Sequence, residues 1–175
     1  MIELKPWPLS YEAMNSLYAD ADQSKCLVQL PVPLERAATF RYLQAVNTGV
    51  SNGRPFIACA IMLDETLIGK IELTRYEDQS AELDLIIKEE YTGKGYGRQA
   101  VEQFQTELRK TGWANRITAY VAVNHTRMIR VLEETGFEPI RTFAADVVTP
   151  QNGTYTLRTV NGVEYSWKNN GGIES

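Results

Sequence analysis

Tyr91-Thr92-Gly93-Lys94-Gly95-Tyr96-Gly97-Arg98 sets three glycines on alternate positions, between an apolar strand pattern and an amphipathic helix pattern. Glycines leave the backbone bare and free to turn tightly. The helix that follows aims its first unpaired N–H groups at whatever occupies the turn, which suits a phosphate or pyrophosphate. A P-loop needs four residues between its glycines and then Gly-Lys-Ser/Thr. Here Gly95 follows Lys94, so no hydroxyl is placed for magnesium. A dinucleotide loop needs Gly-x-Gly-x-x-Gly and an acid at the end of the next strand. Gly93-x-Gly95-x-Gly97 is one residue too short, and that strand ends in Val121-Ala122-Val123-Asn124. Such a turn can also be purely structural.

Other reactive side chains are few. Cys26 and Cys59 are the only cysteines and His125 the only histidine. Two cysteines do not make a disulfide framework in a chain this long. Two cysteines and one histidine also fall short of a four-ligand zinc site, so no metal is expected. Cys59 lies within Phe56–Leu63, an apolar run, and reads as a small core residue.

The chain has 175 residues, 43% of them hydrophobic and 23% charged, with a net charge of -4. That suits one soluble domain with a sizeable core and argues against a general nucleic-acid binder. No apolar run approaches the roughly 20 residues of a membrane span. Glu3, Pro6 and Pro8 stand where a signal peptide needs an apolar core, so a cytoplasmic protein without membrane association is expected.

The elements that must position the glycine turn follow from periodicity. Ile2 to Leu4 reads as a short strand. Ser10 caps a helix to about Asp20, with Met14, Leu17 and Tyr18 on one face. Residues 21–32 form an irregular connection before a second helix, from about Leu34 to Val46. Asn52 to Pro55 is a loop. The nearly continuous apolar run 56–63 suits a central strand, Leu67 to Arg75 alternates and closes a hairpin with it, and residues 80–87 add a third strand. Gly97 to Lys110 is a helix facing the core with Ala100, Val101, Phe104 and Leu108, and Gly112 follows its end. Ile117 to Val123 is a strand and Thr126 to Thr135 a helix stopped by Gly136. Residues 137–148 and 154–167 close the chain as a hairpin around Gln151-Asn152-Gly153. One domain, 1–168, precedes a frayed tail, 169–175. The order β-α-α-β-β-β-α-β-α-β-β is an α/β fold whose ligand site lies at the carboxyl end of a strand.

This order and several local sequences resemble the GNAT acetyltransferase superfamily over roughly residues 1–150. Thr92-Gly93-Lys94-Gly95-Tyr96-Gly97 stands at the family's acetyl-CoA loop, Arg/Gln-x-x-Gly-x-Gly/Ala. Asn124-His125-Thr126 through Val131-Leu132-Glu133 to Gly136-Phe137 is similar to its Asn, Val-Leu-Glu and Gly-Phe segment. Leu67-Ile68-Gly69-Lys70-Ile71, Ala81-Glu82-Leu83 and Pro33-Leu34-Glu35-Arg36-Ala37 resemble the branch that acetylates ribosomal-protein N-termini and polyamines. The resemblance implies a mixed, mostly antiparallel sheet of about seven strands flanked by about four helices. It implies acetyl-CoA as co-substrate, and a primary amine as acceptor, either a protein N-terminus or a small amine.

Residue by residue, the resemblance puts the CoA pyrophosphate on the backbone of Thr92, Gly93, Lys94, Gly95, Tyr96, Gly97 and Arg98. Lys94 and Arg98 either add charge-assisted contacts or remain solvated. Pantetheine would pair with Ile86, Ile87 and Lys88, where the family's strand splays from its neighbour. Asn124 or His125 would hydrogen-bond it. An alkylamine with a pKa near 10 must lose a proton before it attacks. Alternation sets Glu82, Asp84 and Ile86 on one face. Glu82 is then the first candidate base, with Asp84 and Glu72 behind it; all three could equally be solvent-facing strand carboxylates. The family's acid positions, a Tyr or a Ser, are Leu132 and Met128 here. His125 could supply that proton, or the thiolate, with a pKa near 8.5, could leave unaided. Thr92 replaces the motif's Arg or Gln, which removes one pyrophosphate contact. Two alternatives stand beside the N-acetyltransferase: an acyl-CoA-binding module that has lost catalysis, and an acyltransferase with another donor or acceptor. The loop 21–32 and the hairpin after Val148 are expected to line the acceptor groove. Tyr165 and Trp167 either complete the core or form a dimer contact, so a monomer and a homodimer are both open.

Overall fold

The computed structural model of the chain describes residues 1–8 and 10–171. Its elements are β1 (Ile2–Pro6), α1 (Tyr11–Asp20), α2 (Arg36–Thr48), β2 (Val50–Ser51), β3 (Arg54–Leu63), β4 (Thr66–Arg75), β5 (Ser80–Ile87), α3 (Tyr96–Thr111), β6 (Arg116–Ala122), α4 (Thr126–Glu134), β7 (Glu138–Gln151) and β8 (Thr154–Lys168). A single 3-10 turn, Glu89–Tyr91, leads from β5 into the glycine turn. The sheet runs β1-β3-β4-β5-β6-β8-β7, with β2 paired to β3 at its edge. Every pairing is antiparallel except β5 with β6, which α3 connects. The mixed, mostly antiparallel sheet and four helices agree with the expected fold. The short β2 is one strand more: it forms because Asn52 and Gly53, both at positive φ, fold the expected loop into a two-residue turn.

Helices α1 and α3 carry the end signals expected of them, while α2 runs from Arg36 to Thr48, two residues later at each end than the expected Leu34 to Val46, and closes at Gly49 in the left-handed conformation. The Ser10 hydroxyl accepts from the Ala13 N–H at the start of α1. Gly112 closes α3 in the left-handed conformation, its N–H donating to the Leu108 carbonyl. Strand alternation then sorts two cores onto the two faces of the sheet. One face carries Ile61, Ile71, Leu73, Leu83 and Ile117 against Val101, Phe104 and Leu108 of α3 and Leu132 of α4. Tyr165 and Trp167 are buried in that same core. The other carries Ala60 and Ile86 against Met14, Leu17 and Tyr18 of α1. Helix α2 lies more loosely: Thr39 is its one buried residue, and Phe40 is 71% exposed. Asn169 donates to the Leu108 and Ala114 carbonyls, which ties down the start of the expected tail; residues 172–175 lie outside the described residues.

Two departures from regular pairing shape the site. Strand β5 pairs with β6 only from Ser80 to Glu82, opposite Arg116 to Thr118. Beyond Glu82 the strands part, so the β5 backbone from Leu83 to Ile87 has no β6 partner on that side. In β4 the register with β3 shifts between Ile61 and Met62, setting a bulge beside Gly69. A Cβ on Gly69 would stand 2.5 Å from the Ile86 carbonyl, so only glycine lets β4 approach the open end of β5.

Candidate active site

The parting of β5 and β6 opens two hollows that meet. The first is a cleft of about 290 Å³ between the end of β5, the glycine turn and α4. Gly93 and Gly95 adopt positive φ, and Gly95 is the N-cap of α3. No side chain caps that helix start, so its first N–H groups face the cleft as an anion-binding end. Gly97 packs against Leu85, Ile87 and Val131, which seats α3 close to the strand. Arg127 of α4 reaches across the cleft mouth, its Nη1 2.7 Å from Glu89 and 2.8 Å from the Thr92 hydroxyl. Arg98 also borders the cleft and pairs with Glu102 at 2.8 Å.

The second hollow is a cavity of about 870 Å³ on the α1–α2 face of the sheet. Its floor is built by cross-strand register: Glu72 lies opposite Asp84, Thr74 opposite Glu82, and Glu82 opposite Thr118. Lys70 is 1% exposed and lines this floor. Its ammonium donates to Glu72 at 2.7 Å and Asp84 at 3.3 Å, and lies 5.0 Å and 5.6 Å from the Tyr42 and Tyr18 ring centroids. The Tyr42 hydroxyl donates to the same Glu72 oxygen at 2.6 Å. Burial alone would lower the Lys70 pKa, but the neighbouring Glu72 and the other groups around it raise it well above the usual lysine value. Burial pushes the Glu72 carboxyl up. Glu82 takes a 2.6 Å hydrogen bond from Tyr76, whose phenol is thereby pushed up to about 12. Along the far side Tyr120 meets Phe143 edge-on at 5.8 Å.

Lys25, Cys26, Leu85, Ile86, His125 and Met128 line both hollows, so they mark the junction. His125 is the N-cap of α4, its Nδ1 accepting from the Met128 N–H at 3.4 Å. Burial, reinforced by Lys25, lowers its pKa, so the ring is neutral at neutral pH. With Nδ1 accepting, Nε2 carries the proton and is the ring's donor. Burial pushes the Cys26 thiol up to about 11, with Asp84 and Asp22 adding to the shift. It therefore stays protonated and is no nucleophile.

Of the residues expected from the sequence, Ile86, Ile87, Thr92, Gly93, Gly95, Tyr96, Gly97 and Arg98 line the cleft. Glu82 and Asp84 line the cavity. Lys88, Lys94 and Asn124 stand apart. The Lys88 ammonium is held by Ser16 at 3.1 Å and Asp20 at 3.0 Å on α1. Lys94 lies 5.4 Å from the Tyr91 ring centroid, and Asn124 is an exposed residue before His125. Leu132 is fully buried in the core and Met128 borders the junction, so neither family acid position offers a proton. Four features were not anticipated: the buried Lys70, the Tyr42–Glu72 contact, the Tyr76–Glu82 contact and the Arg127 bridge. Lys70 had a signal, a charge in phase with Glu72 on an inward strand face. Arg127 had none, because its partners lie 38 and 35 residues away. Among the described residues no group of three or more His, Cys, Asp or Glu could hold a metal, and no helix is long and apolar enough to cross a membrane.

Comparison with known proteins bears on the whole arrangement. Residues 2–138 match the family model of the acetyltransferase (GNAT) domain. No curated protein is significantly similar to the chain in sequence. Among solved structures it is similar to RimL, a ribosomal L7/L12 α-N-protein acetyltransferase in complex with coenzyme A. Identity is 16%, with 98% of this chain and 96% of that one covered, at a TM-score of 0.78. It is similar also to spermidine N-acetyltransferase from Vibrio cholerae in complex with CoA and spermine (19% identity, 96% and 95% covered, TM-score 0.73). A third is RimJ from Mycobacterium smegmatis in complex with CoA-disulfide (14% identity, 95% and 81% covered, TM-score 0.73). At such identities the likeness is one of fold.

Proposed function

The chain belongs to the GNAT acetyltransferase family, whose donor is acetyl-CoA, and on that premise we propose that it transfers the acetyl group directly to a primary amine. The observation that carries this reading is the junction: a glycine-turn cleft and a carboxylate-floored cavity meet where β5 and β6 part.

Acetyl-CoA supplies an acyl group activated as a thioester. The turn amides from Gly93 to Gly97 and the start of α3 suit its pyrophosphate. Arg127, aided by Arg98, sets positive charge beside Thr92, where the loop motif lacks its own. The unpaired edge of β5 from Leu83 to Ile87 offers backbone donors and acceptors to the amide-bearing pantetheine arm. The acceptor enters through the large cavity. Glu82, oriented by Tyr76, takes the proton that the ammonium must lose, directly or through water. Asp84, two residues nearer the opening and bound to Lys70, is the second proton acceptor on that face. His125 presents Nε2–H at the junction, where it can hydrogen-bond the departing sulfur. A thiol with a pKa near 8.5 leaves without a stronger acid.

Thermal unfolding with and without acetyl-CoA, followed by CoA release with and without an amine, tests this reading. Ligand at about 100 times its dissociation constant adds roughly 2.7 kcal/mol of stability. A stabilised protein releasing CoA only when amine is present is the expected result. Stabilisation without amine-dependent release would mark a binding module instead, and no stabilisation would remove acetyl-CoA from the cleft.

A further inference from the structure

The acceptor cavity already contains an ammonium. Lys70 takes one oxygen of Glu72 and one of Asp84, and two tyrosine rings enclose it. Burying a charged lysine in this way costs solvation that its partners must offset, and replacing such a cluster with apolar residues is often neutral or stabilising. Stability is therefore a weak account of Lys70. Its position suggests another, because it alters the charge that an incoming substrate meets.

The cavity lining bears four carboxylates, Glu35, Glu72, Glu82 and Asp84, against three cations, Lys25, Lys70 and Arg141. Arg141 is taken up by Glu164 at 2.6 Å and Lys70 by Glu72 and Asp84, which leaves Glu82 as the floor carboxylate with no ion pair among the described residues, a place for one ammonium. The three inner carboxylates are Glu72, Glu82 and Asp84 on β4 and β5, and Lys70 sits among them. Outward, the wall turns apolar, through Leu27, Leu30, Pro31 and Phe143. At its mouth Val28 is 73% exposed and Tyr155 69% exposed, two apolar surfaces awaiting cover. A polyamine needs carboxylates spaced along its length. This cavity offers one carboxylate free of an ion pair at the inner end, Glu82, and hydrocarbon beyond it.

We propose that Lys70 is a specificity-determining residue, a resident ammonium that leaves the cavity charge for one substrate cation, so that the acceptor is a primary amine bearing an apolar body rather than a polyamine. This inference rests on the amine-acetylating reading above and narrows it. Specificity here comes from repelling the wrong partner as well as from holding the right one. The same chemistry is found in free arylalkylamines and in peptide N-termini with an apolar first side chain, so both enter the test.

The experiment compares kcat/KM at saturating acetyl-CoA for phenethylamine, a neutral tripeptide beginning with leucine, and spermidine. The wild type is expected to favour one of the first two over spermidine by about tenfold or more, and which of them wins identifies the source. Lys70→Met raises the net negative charge by one and is expected to shift the ratio toward spermidine by about tenfold. The double variant Lys70→Met, Glu72→Gln restores the wild-type net charge and should restore its preference. Lys25→Gln makes the same charge change at the half-buried wall, and it decides the matter if Lys70→Met does not fold. Spermidine as the best wild-type substrate overturns the inference while leaving the acetyltransferase reading standing. So does an unchanged ratio in every folded single variant. If no amine is acetylated at all, both fall together.

Discussion

The two hollows that meet at His125 are built on different principles. The cleft is made of main chain: turn amides, a helix start and an unpaired strand edge. The cavity is made of side chains gathered from α1, α2, α4, five adjoining strands and the loop between the first two helices. A main-chain site depends on conformation and tolerates changes of residue type, which is why Thr92 can stand where the loop motif has Arg or Gln. A side-chain site depends on which charges converge, and one substitution rewrites it. Damage to the first should therefore appear in donor affinity, and damage to the second in turnover and acceptor choice.

The largest separation is expected from Glu82→Gln. Loss of a positioned base costs on the order of 10²–10⁴ in rate, whereas nothing in the cleft touches Glu82. The expected outcome is a fall in kcat of at least about 10² with an acetyl-CoA dissociation constant within about twofold of wild type. Calorimetric titration beside steady-state kinetics measures both. A variant with full turnover across the pH range would take Glu82 out of the mechanism and leave Asp84 as the base.

Gly95→Ala attacks the other side. Gly95 has φ of +82°, and its added Cβ would meet nothing within 4 Å. The change therefore acts through backbone strain alone, about 1–2 kcal/mol for a residue forced into the left-handed region. If the turn relaxes, its amides no longer converge, and acetyl-CoA affinity should fall about fivefold to tenfold. The acceptor preference should not move. A shift in that preference would show that the two hollows are not separable.

This division also governs how much could be read from the sequence. The cleft was legible because its determinants are contiguous: alternate glycines, a following helix and an apolar strand before them, all within residues 80–110. The fold was legible for the same reason, since Ser10, Gly112 and Gly136 punctuate helices locally. The cavity was legible only in part. Glu82 and Asp84 could be placed on one strand face, but the strand register that sets Lys70 between Glu72 and Asp84 is a property of the assembled sheet. Lys88 and Lys94 show the converse. Lys94 lies inside the motif and Lys88 just past the strand end before it, yet Lys88 turns to Asp20 and Lys94 to Tyr91, because sequence pattern fixes the backbone path and not the direction of each long side chain.

Arg127→Ala tests whether a charge from outside the motif serves the cleft. Its guanidinium is about half exposed, so its contribution is screened. Acetyl-CoA affinity should weaken about threefold to fivefold in dilute buffer, and the deficit should narrow as salt is added. Gly95→Ala should show no such salt dependence, since strain is not screened. An Arg127→Ala protein indistinguishable from wild type at low ionic strength would assign the arginine to Glu89 alone.

The smallest effect belongs to the residue the two hollows share. His125 titrates below the ordinary imidazole value because it is partly buried and lies near Lys25. Below its unfolded pKa, near 6.5, the unfolded chain binds a proton that the folded chain refuses. Stability must then rise with pH through that window and fall as pH drops from about 6.5 toward the lowered folded value. Protonation also removes the Nδ1 acceptor from the start of α4, where the cap is long at 3.4 Å and correspondingly weak. His125→Asn keeps a capping acceptor and cannot titrate. Its melting temperature should track wild type at pH 7.5 and exceed it by a small margin at pH 5.5, a difference below about 1 kcal/mol. The opposite sign at pH 5.5 would mean that His125 gains a proton on folding. The imidazolium would then be available to protonate the departing sulfur, and the junction would supply an acid rather than a neutral donor.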